Sequence, residues 1–197
     1  MENKDFYKNY MECFLEENAK VNLISKNEEK YLWEKHVYDS LSIKLFFDKY
    51  NPKASTLLDI GTGGGFPSVP IALTYPKIKV TALDSIGKKI RAVNSIKLKL
   101  NIENLEPVCC RVENLDGKFD IVTSRAVSSL KTICEYALPK LNKDGYFVAY
   151  KSKKYLEEIE EASSVLKKYK FEIADVIEYD IPTEDKPVRN LIIIRHK

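Results

Sequence analysis

Four of the seven glycines in this chain fall within residues 61–65, and no other feature constrains the fold as strongly. Glycines in such a cluster mark a backbone that turns sharply and lets another group approach closely. The apolar run at 55–60 precedes them and predicts a short buried strand. Pro67 follows them, and proline is favoured in the first turn of a helix. The order of strand, glycine loop and helix predicts the first half of a nucleotide-binding βαβ unit.

The glycine spacing argues against two common phosphate-binding loops. A P-loop ends in Gly-Lys-Ser or Gly-Lys-Thr, whereas Gly65 is followed by Phe66 and Pro67. The dinucleotide fingerprint needs glycine at its first, third and sixth positions. Gly61 and Gly63 occupy the first two of these, but Phe66 occupies the sixth. An NAD-dependent oxidoreductase is therefore the least favoured interpretation.

Two acidic residues near the loop indicate what kind of ligand it holds. Asp59 lies two positions before Gly61, where its charge would repel a pyrophosphate. That position suits a ligand with a cationic amino-acid part and no phosphate, and S-adenosylmethionine is such a ligand. Asp84 ends the predicted strand at 78–83, where a carboxylate can accept hydrogen bonds from ribose hydroxyls. A tight glycine turn beside an incidental aspartate is the alternative.

Length and composition indicate one globular unit. The chain has 197 residues, of which 44% are hydrophobic and 31% charged, as is ordinary for globular proteins. No apolar run approaches the roughly 18 residues of a membrane span, and residues 1–5 are polar, unlike a secretory signal. We therefore expect a cytoplasmic protein without membrane association. It should consist of a helical N-terminal extension at 1–52 and a Rossmann-like domain at 53–197.

The four cysteines show no spacing typical of metal ligands, so no metal site is expected. They are Cys13, Cys109, Cys110 and Cys134. Cys109 and Cys110 are adjacent and should point to opposite faces of a strand. Buried, reduced thiols are the favoured interpretation, and a catalytic or redox role is the alternative.

From residue 55 onward, the sequence pattern alternates between strands and helices. Strands are expected at 55–60, 78–83, 105–110, 119–124 and 145–150. Helices are expected between and after them, near 67–75, 86–100, 127–140 and 153–168, the last with Leu156, Ile159, Val165 and Leu166 inward. Two final runs, 171–179 and 188–195, are separated by a polar turn and predict an antiparallel hairpin. The pattern predicts an α/β fold with a mostly parallel sheet covered on both faces.

The first 52 residues predict two helices. Residues 3–17 carry apolar residues at helical spacing, and Ser25 or Asn27 could cap a second helix at about 28–48. One stripe of that helix is expected to face inward: Trp33, Val37, Leu41 and Leu45.

His36 lies on an adjoining face of the same predicted helix, together with Asp39 and Ser40. Two interpretations of this histidine are open. A carboxylate of its own helix could hold it in place, or it could contact a substrate.

Basic residues follow the predicted strands at the end of the sheet where ligands bind in such folds. Arg125 follows the fourth strand, and Lys151 and Lys153 follow the fifth. Residues 84–100 carry five basic residues against one aspartate, for a net charge of +4. Those nearest the strand end are Lys88, Lys89 and Arg91. A positive face here suits a polyanionic substrate, and a solvated helix face is the alternative.

Several of these stretches resemble the bacterial small-subunit rRNA methyltransferase G family, also called glucose-inhibited division protein B. The similarity covers nearly the whole chain. Its most specific parts are Asp59–Pro67, Asp84–Lys89, Arg111–Glu113 and Ser124–Ala126, with Asn22-Leu23 and His36–Leu41 in the helical extension. The resemblance implies a class I, Rossmann-like methyltransferase that uses S-adenosylmethionine. It also implies methylation of N7 of a guanine in a decoding-region loop of 16S rRNA.

The resemblance also implies roles for individual residues. Gly61 and Phe66 would line the methionine and sulfonium side of the cofactor, and Val112 and Glu113 would hold the adenine. Arg125 would contact the cofactor or the target base. The expected cofactor-binding set is Asp59, Gly61, Gly63, Gly65, Phe66, Asp84, Val112, Glu113 and Arg125. The family usually has Lys-Gly after the fifth strand, where this chain has Lys151-Ser152.

Guanine N7 carries a lone pair and no proton, so its methylation needs no general base. Positioning is then the main catalytic contribution, expected from Arg125, with Lys151 and His36 as further candidates. The expected RNA-binding set is Lys88, Lys89, Arg91, Lys151 and Lys153. The expected partner is 16S rRNA or the small ribosomal subunit, and the expected state is a monomer. The alternatives are a small-molecule methyltransferase and a non-catalytic RNA binder of ribosome assembly.

Overall fold

Seven strands form one mixed sheet in the computed structural model, which describes residues 3–197. The strands are β1 (Thr56–Ile60), β2 (Lys79–Asp84), β3 (Leu105–Cys109), β4 (Phe119–Arg125), β5 (Leu141–Lys151), β6 (Phe171–Asp180) and β7 (Val188–His196). The α-helices are α1 (Lys8–Val21), α2 (Lys26–Glu29), α3 (Asp39–Leu41), α4 (Lys44–Tyr50), α5 (Ser68–Thr74), α6 (Gly87–Leu100), α7 (Leu130–Ala137) and α8 (Tyr155–Tyr169). Short 3-10 segments lie at Lys4–Tyr7, Val112–Asn114 and Leu138–Lys140, and a π-helical segment at Leu32–Tyr38.

The strand order is β3-β2-β1-β4-β5-β7-β6. The first five strands in this order pair in parallel, and β7 pairs antiparallel with both β5 and β6. The expected α/β fold, with a mostly parallel sheet and a C-terminal antiparallel hairpin, is confirmed. The chain reverses direction across the sheet between β1 and β4, so the carboxyl ends of these two strands form the crevice where such sheets bind ligands.

Side chains alternate between the two faces of the sheet and build two cores. Leu57 of β1 belongs to a core with α5, α6 and the N-terminal helices. Its neighbour Leu58 belongs to a second core with α7 and α8. Within residues 3–197, no helix is long and apolar enough to cross a membrane.

The N-terminal helices pack on the glycine loop itself. Phe14 of α1 is fully buried, and its ring centroid lies 4.9 Å from that of Phe66. Glu17, one turn further along α1, accepts hydrogen bonds from Ser95 Oγ at 2.8 Å and Lys99 Nζ at 3.0 Å, both on α6. These contacts place the extension over one side of the ligand-binding crevice.

The predicted second helix at 28–48 is wrong, since this segment is broken into several pieces. Ser25 does cap its start through a capping box, as expected. Further along, Ser40 Oγ donates to the His36 carbonyl at 2.6 Å and Ser42 Oγ to the Tyr38 carbonyl at 3.2 Å. Such hydroxyl contacts to the preceding turn are associated with bent helices.

The break also changes which residues are buried. Leu45, predicted to face inward, is 40% exposed. Ile43 and Phe46 are fully buried in its place, because the chain enters α4 in a new register.

Two further burial predictions fail. Leu156, near the start of α8, is 62% exposed, whereas Val165 and Leu166 are buried as predicted, together with Ala162. Of the four free cysteines only Cys134 is buried. Cys109 is exposed because β3 is an edge strand, and its neighbour Cys110 and Cys13 are partly buried, also contrary to prediction.

The Glu17 contacts predict a pH-dependent contribution to stability. Burial alone raises the pKa of Glu17, but hydrogen bonds from Lys20, Lys99 and Ser95 lower it to about 2. Glu17→Gln should therefore reduce the free energy of unfolding at pH 7 by about 1–2 kcal/mol, measured by denaturant titration.

The difference between wild type and Glu17→Gln should be complete above the pKa of an unfolded glutamate, about 4.3. It should disappear as the pH falls through about 2, because the folded-state pKa is depressed. Glu12→Gln, an exposed change on the same helix, is the control and should have little effect at either pH. An equal loss in both variants would contradict the assigned role of Glu17.

Candidate active site

The glycine loop has a backbone conformation that residues with side chains rarely adopt. Gly61, Gly63 and Gly65 have φ values of +75°, +58° and +95°. A Cβ on Gly61 would lie 2.4 Å from Val127 Cγ2, and a Cβ on Gly65 would lie 2.6 Å from Val69 Cγ2. The nearest atom to a Cβ on Gly63 is the Gly61 carbonyl oxygen at 4.0 Å. The loop is thus closely packed at both ends and open in the middle.

Asp84, the last residue of β2, holds the loop in this shape. Its carboxylate accepts hydrogen bonds from the Gly63 backbone N–H at 3.0 Å and the Ile86 N–H at 2.9 Å. The residue is 8% exposed. It lies beside the loop, as the sequence predicts, with part of its hydrogen-bonding capacity already used by the protein.

A cavity of about 420 Å³, which we call the glycine-loop cavity, opens beside these residues. Its lining includes five residues that the sequence singled out: Gly61, Asp84, Lys89, Val112 and Glu113. Much of the remaining wall is apolar and includes Ile60, Leu83, Val127, Ile133 and Tyr136. A concave site of this size, with apolar walls and a few polar groups, is typical for a small molecule.

Asp59 lies beneath the loop and does not line this cavity. It is fully buried, and its Oδ1 accepts a hydrogen bond from Thr123 Oγ1 at 3.1 Å. Its Oδ2 has no hydrogen-bond partner among residues 3–197. Burial raises the pKa of Asp59 to about 6, although the hydroxyls of Thr62 and Thr123 oppose that shift. An acceptor left unpaired in this way is unfavourable, and a cationic group above the loop would stabilise it.

A second cavity of about 410 Å³, which we call the Arg125 cavity, adjoins the first. Charged groups and a histidine dominate its wall: Glu28, Lys35, His36, Asp39, Arg125, Lys151, Glu158 and Arg189. Ala126 and Ser128 line both cavities. Ala126 has a φ of +55°, which is uncommon outside glycine. The segment after β4 is therefore the wall that the two cavities share.

Arg125, the last residue of β4, is held by four groups. Its Nη1 donates to Asp39 Oδ2 at 2.7 Å and to the Lys35 carbonyl at 3.1 Å. Its Nη2 lies 3.2 Å from His36 Nδ1, and its guanidinium carbon lies 5.3 Å from the Phe66 ring centroid. Arg125 therefore joins the N-terminal extension to the glycine loop and the sheet.

His36 is held by Arg125 and not by a carboxylate of its own helix. Glu28 Oε1 lies 3.9 Å from His36 Nε2, which is too far for a hydrogen bond. Asp39 instead bonds to Arg125 and accepts the Tyr179 hydroxyl at 2.7 Å. Burial, followed by the charge of Arg125, lowers the pKa of His36 to about 4, so its ring is neutral at pH 7.

The lining of the glycine-loop cavity does not include Gly63, Gly65 or Phe66. Their contact with the cofactor stays a prediction. Phe66 is 4% exposed and packs between Phe14 and His36. Its ring centroid lies 4.9 Å from that of Phe14 and 5.1 Å from that of His36. The aromatic rings of the N-terminal helices cover this side of the loop. Phe66 thus supports Arg125 and His36.

The basic residues predicted to bind RNA differ in their surroundings. Lys151 Nζ donates to Glu158 Oε2 at 2.6 Å and to the Ser128 carbonyl at 2.7 Å, so its charge is paired inside the protein. Lys89 lines the glycine-loop cavity. The other three, Lys88, Arg91 and Lys153, are exposed and line neither cavity.

Some contacts and residues of the site were not predicted from the sequence. Asp39 was placed beside His36 by helical spacing, but not as the partner of Arg125. Lys35, whose carbonyl accepts from Arg125, had no distinguishing pattern. Arg189 and Tyr179 come from the C-terminal hairpin, far away in sequence, where no local pattern points to them.

Comparison with known sequences identifies the family. The family model described as rRNA small subunit methyltransferase G matches residues 3–190. The protein named "Ribosomal RNA small subunit methyltransferase G" of Staphylococcus saprophyticus is 37% identical over 193 residues. That alignment covers 95% of this chain and 80% of the relative.

Solved structures share the fold. The B. subtilis M1A22 tRNA methyltransferase TrmK has a TM-score of 0.62 at 14% identity, over 83% of this chain and 66% of that one. M. jannaschii TYW2, solved in complex with AdoMet, has a TM-score of 0.60 at 16% identity, over 79% and 74% of the two chains. Identities this low show the fold alone, and they confirm the class I methyltransferase fold expected from the sequence.

The open space above Gly63 predicts the effect of a methyl group there. Gly63→Ala should lower the affinity for S-adenosylmethionine at least about tenfold, which corresponds to about 1.4 kcal/mol, because its Cβ occupies the opening. The positive φ should reduce the free energy of unfolding by only about 1–2 kcal/mol. Calorimetric titration and thermal unfolding measure the two effects.

Gly117→Ala is the matched control. Gly117 also has a positive φ, +96°, and a Cβ there meets no atom within 4 Å, but it precedes β4 and so lies at the opposite end of that strand from Arg125. It should lose similar stability and keep its cofactor affinity. Unchanged affinity in Gly63→Ala would mean that the ligand does not approach the loop at this point.

Proposed function

The chain belongs to the rRNA small subunit methyltransferase G family, and on that premise we propose that it methylates N7 of a guanine in a decoding-region loop of 16S rRNA. S-adenosylmethionine is the methyl donor in this proposal, and the small subunit or its RNA is the substrate. The observation that carries the proposal is the pair of adjoining cavities at the carboxyl ends of β1 and β4. One suits a nucleoside cofactor, and the other is lined by charged groups.

The residues of the glycine-loop cavity fit S-adenosylmethionine. Asp84 supplies an acceptor for ribose hydroxyls at the end of β2. Apolar side chains around Val112 and Tyr136 suit the adenine ring. The open space above Gly63 admits the rest of the ligand, and the unpaired oxygen of Asp59 favours a cationic group above the loop.

The wall shared by the two cavities places donor and acceptor side by side. Ala126 and Ser128 line both. A base in the Arg125 cavity would therefore face the glycine-loop cavity across this segment. Alignment of the reacting groups can contribute on the order of 7–11 kcal/mol to a reaction of this kind.

Methylation of guanine N7 requires no general base from the protein. When bound, the cofactor supplies a methyl group on a positively charged sulfur, and a nitrogen lone pair can displace that sulfur without a general base. The neutral His36 is consistent with this, since no proton has to be removed from N7. The base becomes cationic on methylation, and the Glu28 carboxylate in the cavity wall can stabilise that charge, since Asp39 is paired with Arg125 and Glu158 with Lys151.

We assign RNA binding to basic groups around the two cavities. Lys88, Arg91 and Lys153 are exposed at this end of the sheet. Lys35 and Arg189 line the Arg125 cavity itself. Such phosphate contacts make affinity decrease as salt increases. A loop guanine suits this site, because an unpaired base is easily turned out of its stack.

One experiment tests substrate and atom together. Purified protein, labelled S-adenosylmethionine and small subunits from cells lacking the enzyme are incubated, and the rRNA is digested and mapped by mass spectrometry. We expect a single 7-methylguanosine in the 16S rRNA. Small subunits from cells with the enzyme are the control and should accept almost no label.

Two other outcomes would contradict the proposal. A methyl group on a different atom or base would refute the assignment of guanine N7. No incorporation, with cofactor binding intact by calorimetry, would favour a small-molecule substrate or a binding role without catalysis.

A further inference from the structure

The Arg125 cavity contains a buried hydrogen-bond donor whose partner is missing. His36 lines the cavity, its side chain is 11% exposed, and its Nε2 has no hydrogen-bond partner among residues 3–197. Glu28 Oε1 lies 3.9 Å from Nε2, and the Glu28 side chain is 46% exposed. The other carboxylate oxygen of Glu28 accepts from Ser25 Oγ at 3.0 Å, so Oε1 stays too far from Nε2 to accept its proton.

The partner on the other side of the ring determines which nitrogen carries the proton. Arg125 Nη2 lies 3.2 Å from His36 Nδ1, and a guanidinium can only donate. Nδ1 must therefore accept, and in a neutral imidazole the proton then lies on Nε2. His36 Nε2–H is a donor of fixed direction, because the ring is also packed against Phe66.

Several other donors near the base site already have partners. Arg125 Nη1 donates to Asp39 and the Lys35 carbonyl. Lys151 donates to Glu158 and the Ser128 carbonyl. The Tyr150 hydroxyl donates to the Ser40 carbonyl at 2.7 Å. Unsatisfied buried donors are uncommon in folded proteins, so the free Nε2–H requires a reason.

We propose that His36 selects guanine by donating its Nε2–H to the base oxygen O6, an inference that rests on the proposed methylation of guanine N7. In guanine, N7 and O6 are adjacent acceptors on one edge. In adenine, the group next to N7 is an amino donor, which would face the histidine donor. If N7 lies at the shared wall, the group at position 6 of the base faces this part of the cavity, and that group distinguishes guanine from adenine.

A neutral donor has an advantage at this position. The ring becomes positively charged as N7 accepts the methyl group. A lysine or arginine in direct contact with O6 would be repelled by that charge, whereas neutral imidazole would not. Burial and, after it, the charge of Arg125 lower the pKa of His36 and keep its ring neutral, and Arg125 is itself paired with Asp39.

Two variants separate hydrogen bonding by His36 from its packing. His36→Phe keeps an aromatic ring against Phe66 but removes the donor. His36→Gln removes the ring but keeps an N–H group that can reach the cavity. We expect kcat/KM on small subunits to fall about 10- to 100-fold in His36→Phe and less in His36→Gln. The affinity for S-adenosylmethionine should be unchanged in both, since His36 does not line the glycine-loop cavity.

The relative kcat/KM of the two variants distinguishes hydrogen bonding by His36 from packing. His36→Gln equal to or worse than His36→Phe would overturn the proposal, because packing would then explain the role of His36. Wild-type rates in both would also overturn it. If wild type itself transfers no methyl group to guanine, the proposed function fails as well, so the two failures are distinguishable.

A substrate-side test on wild type covers the case in which the variants do not fold. Small subunits are reconstituted with ligated 16S rRNA that carries inosine or 2,6-diaminopurine at the methylated position. Both bases keep N7, but only inosine keeps O6. We expect inosine to be methylated within about tenfold of guanine, and 2,6-diaminopurine at least 100-fold more slowly. Equal rates for the two bases would exclude recognition through O6.

Discussion

The Arg125 guanidinium and the Asp39 carboxylate lie 2.7 Å apart where the N-terminal helices reach the end of β4. Their side chains are 14% and 8% exposed, so both charges are largely removed from water. A buried pair of this kind contributes little net stability, but loss of one partner costs about 3–5 kcal/mol. The position of the N-terminal extension on the sheet is therefore closely tied to this contact.

Both cavities depend on the same guanidinium. On one side, Arg125 holds His36 and the Lys35 carbonyl, which brings the extension into the wall of the Arg125 cavity. On the other side, it lies over Phe66, which belongs to the glycine loop. Without the extension, the Arg125 cavity would lose Glu28, Lys35, His36 and Asp39 from its lining. The extension is thus part of the base site that we propose.

Local patterns carried much of the information about the fold. The glycine loop was predictable because few residues can take a positive φ, and Gly61 and Gly63 both do. The position of Asp84 followed from the length of one βαβ unit. The strands were predictable because a strand that is buried on both faces consists mostly of apolar residues.

Other features have local or distant causes that the sequence pattern did not reveal. The helix expected at 28–48 breaks where serine hydroxyls bond to carbonyls four positions back. The surroundings of Phe66 and Lys151 depend on how the helices pack. Phe66 lies against aromatic side chains of the N-terminal segment, and Lys151 is paired with Glu158, seven positions away. The spacing of residues along the chain did not predict these partners.

The most direct test of this account is the rate of methyl transfer to small subunits by Asp39→Asn, measured together with the affinity for S-adenosylmethionine. Asparagine keeps the size of the side chain and the acceptor for Tyr179, but it leaves Arg125 without its counter-charge. We expect kcat to fall about 100-fold or more, because Arg125 and the residues it holds would no longer position the base. The affinity for the cofactor should change less than about threefold. Wild-type kcat, or a loss of cofactor affinity as large as the loss of rate, would contradict this account.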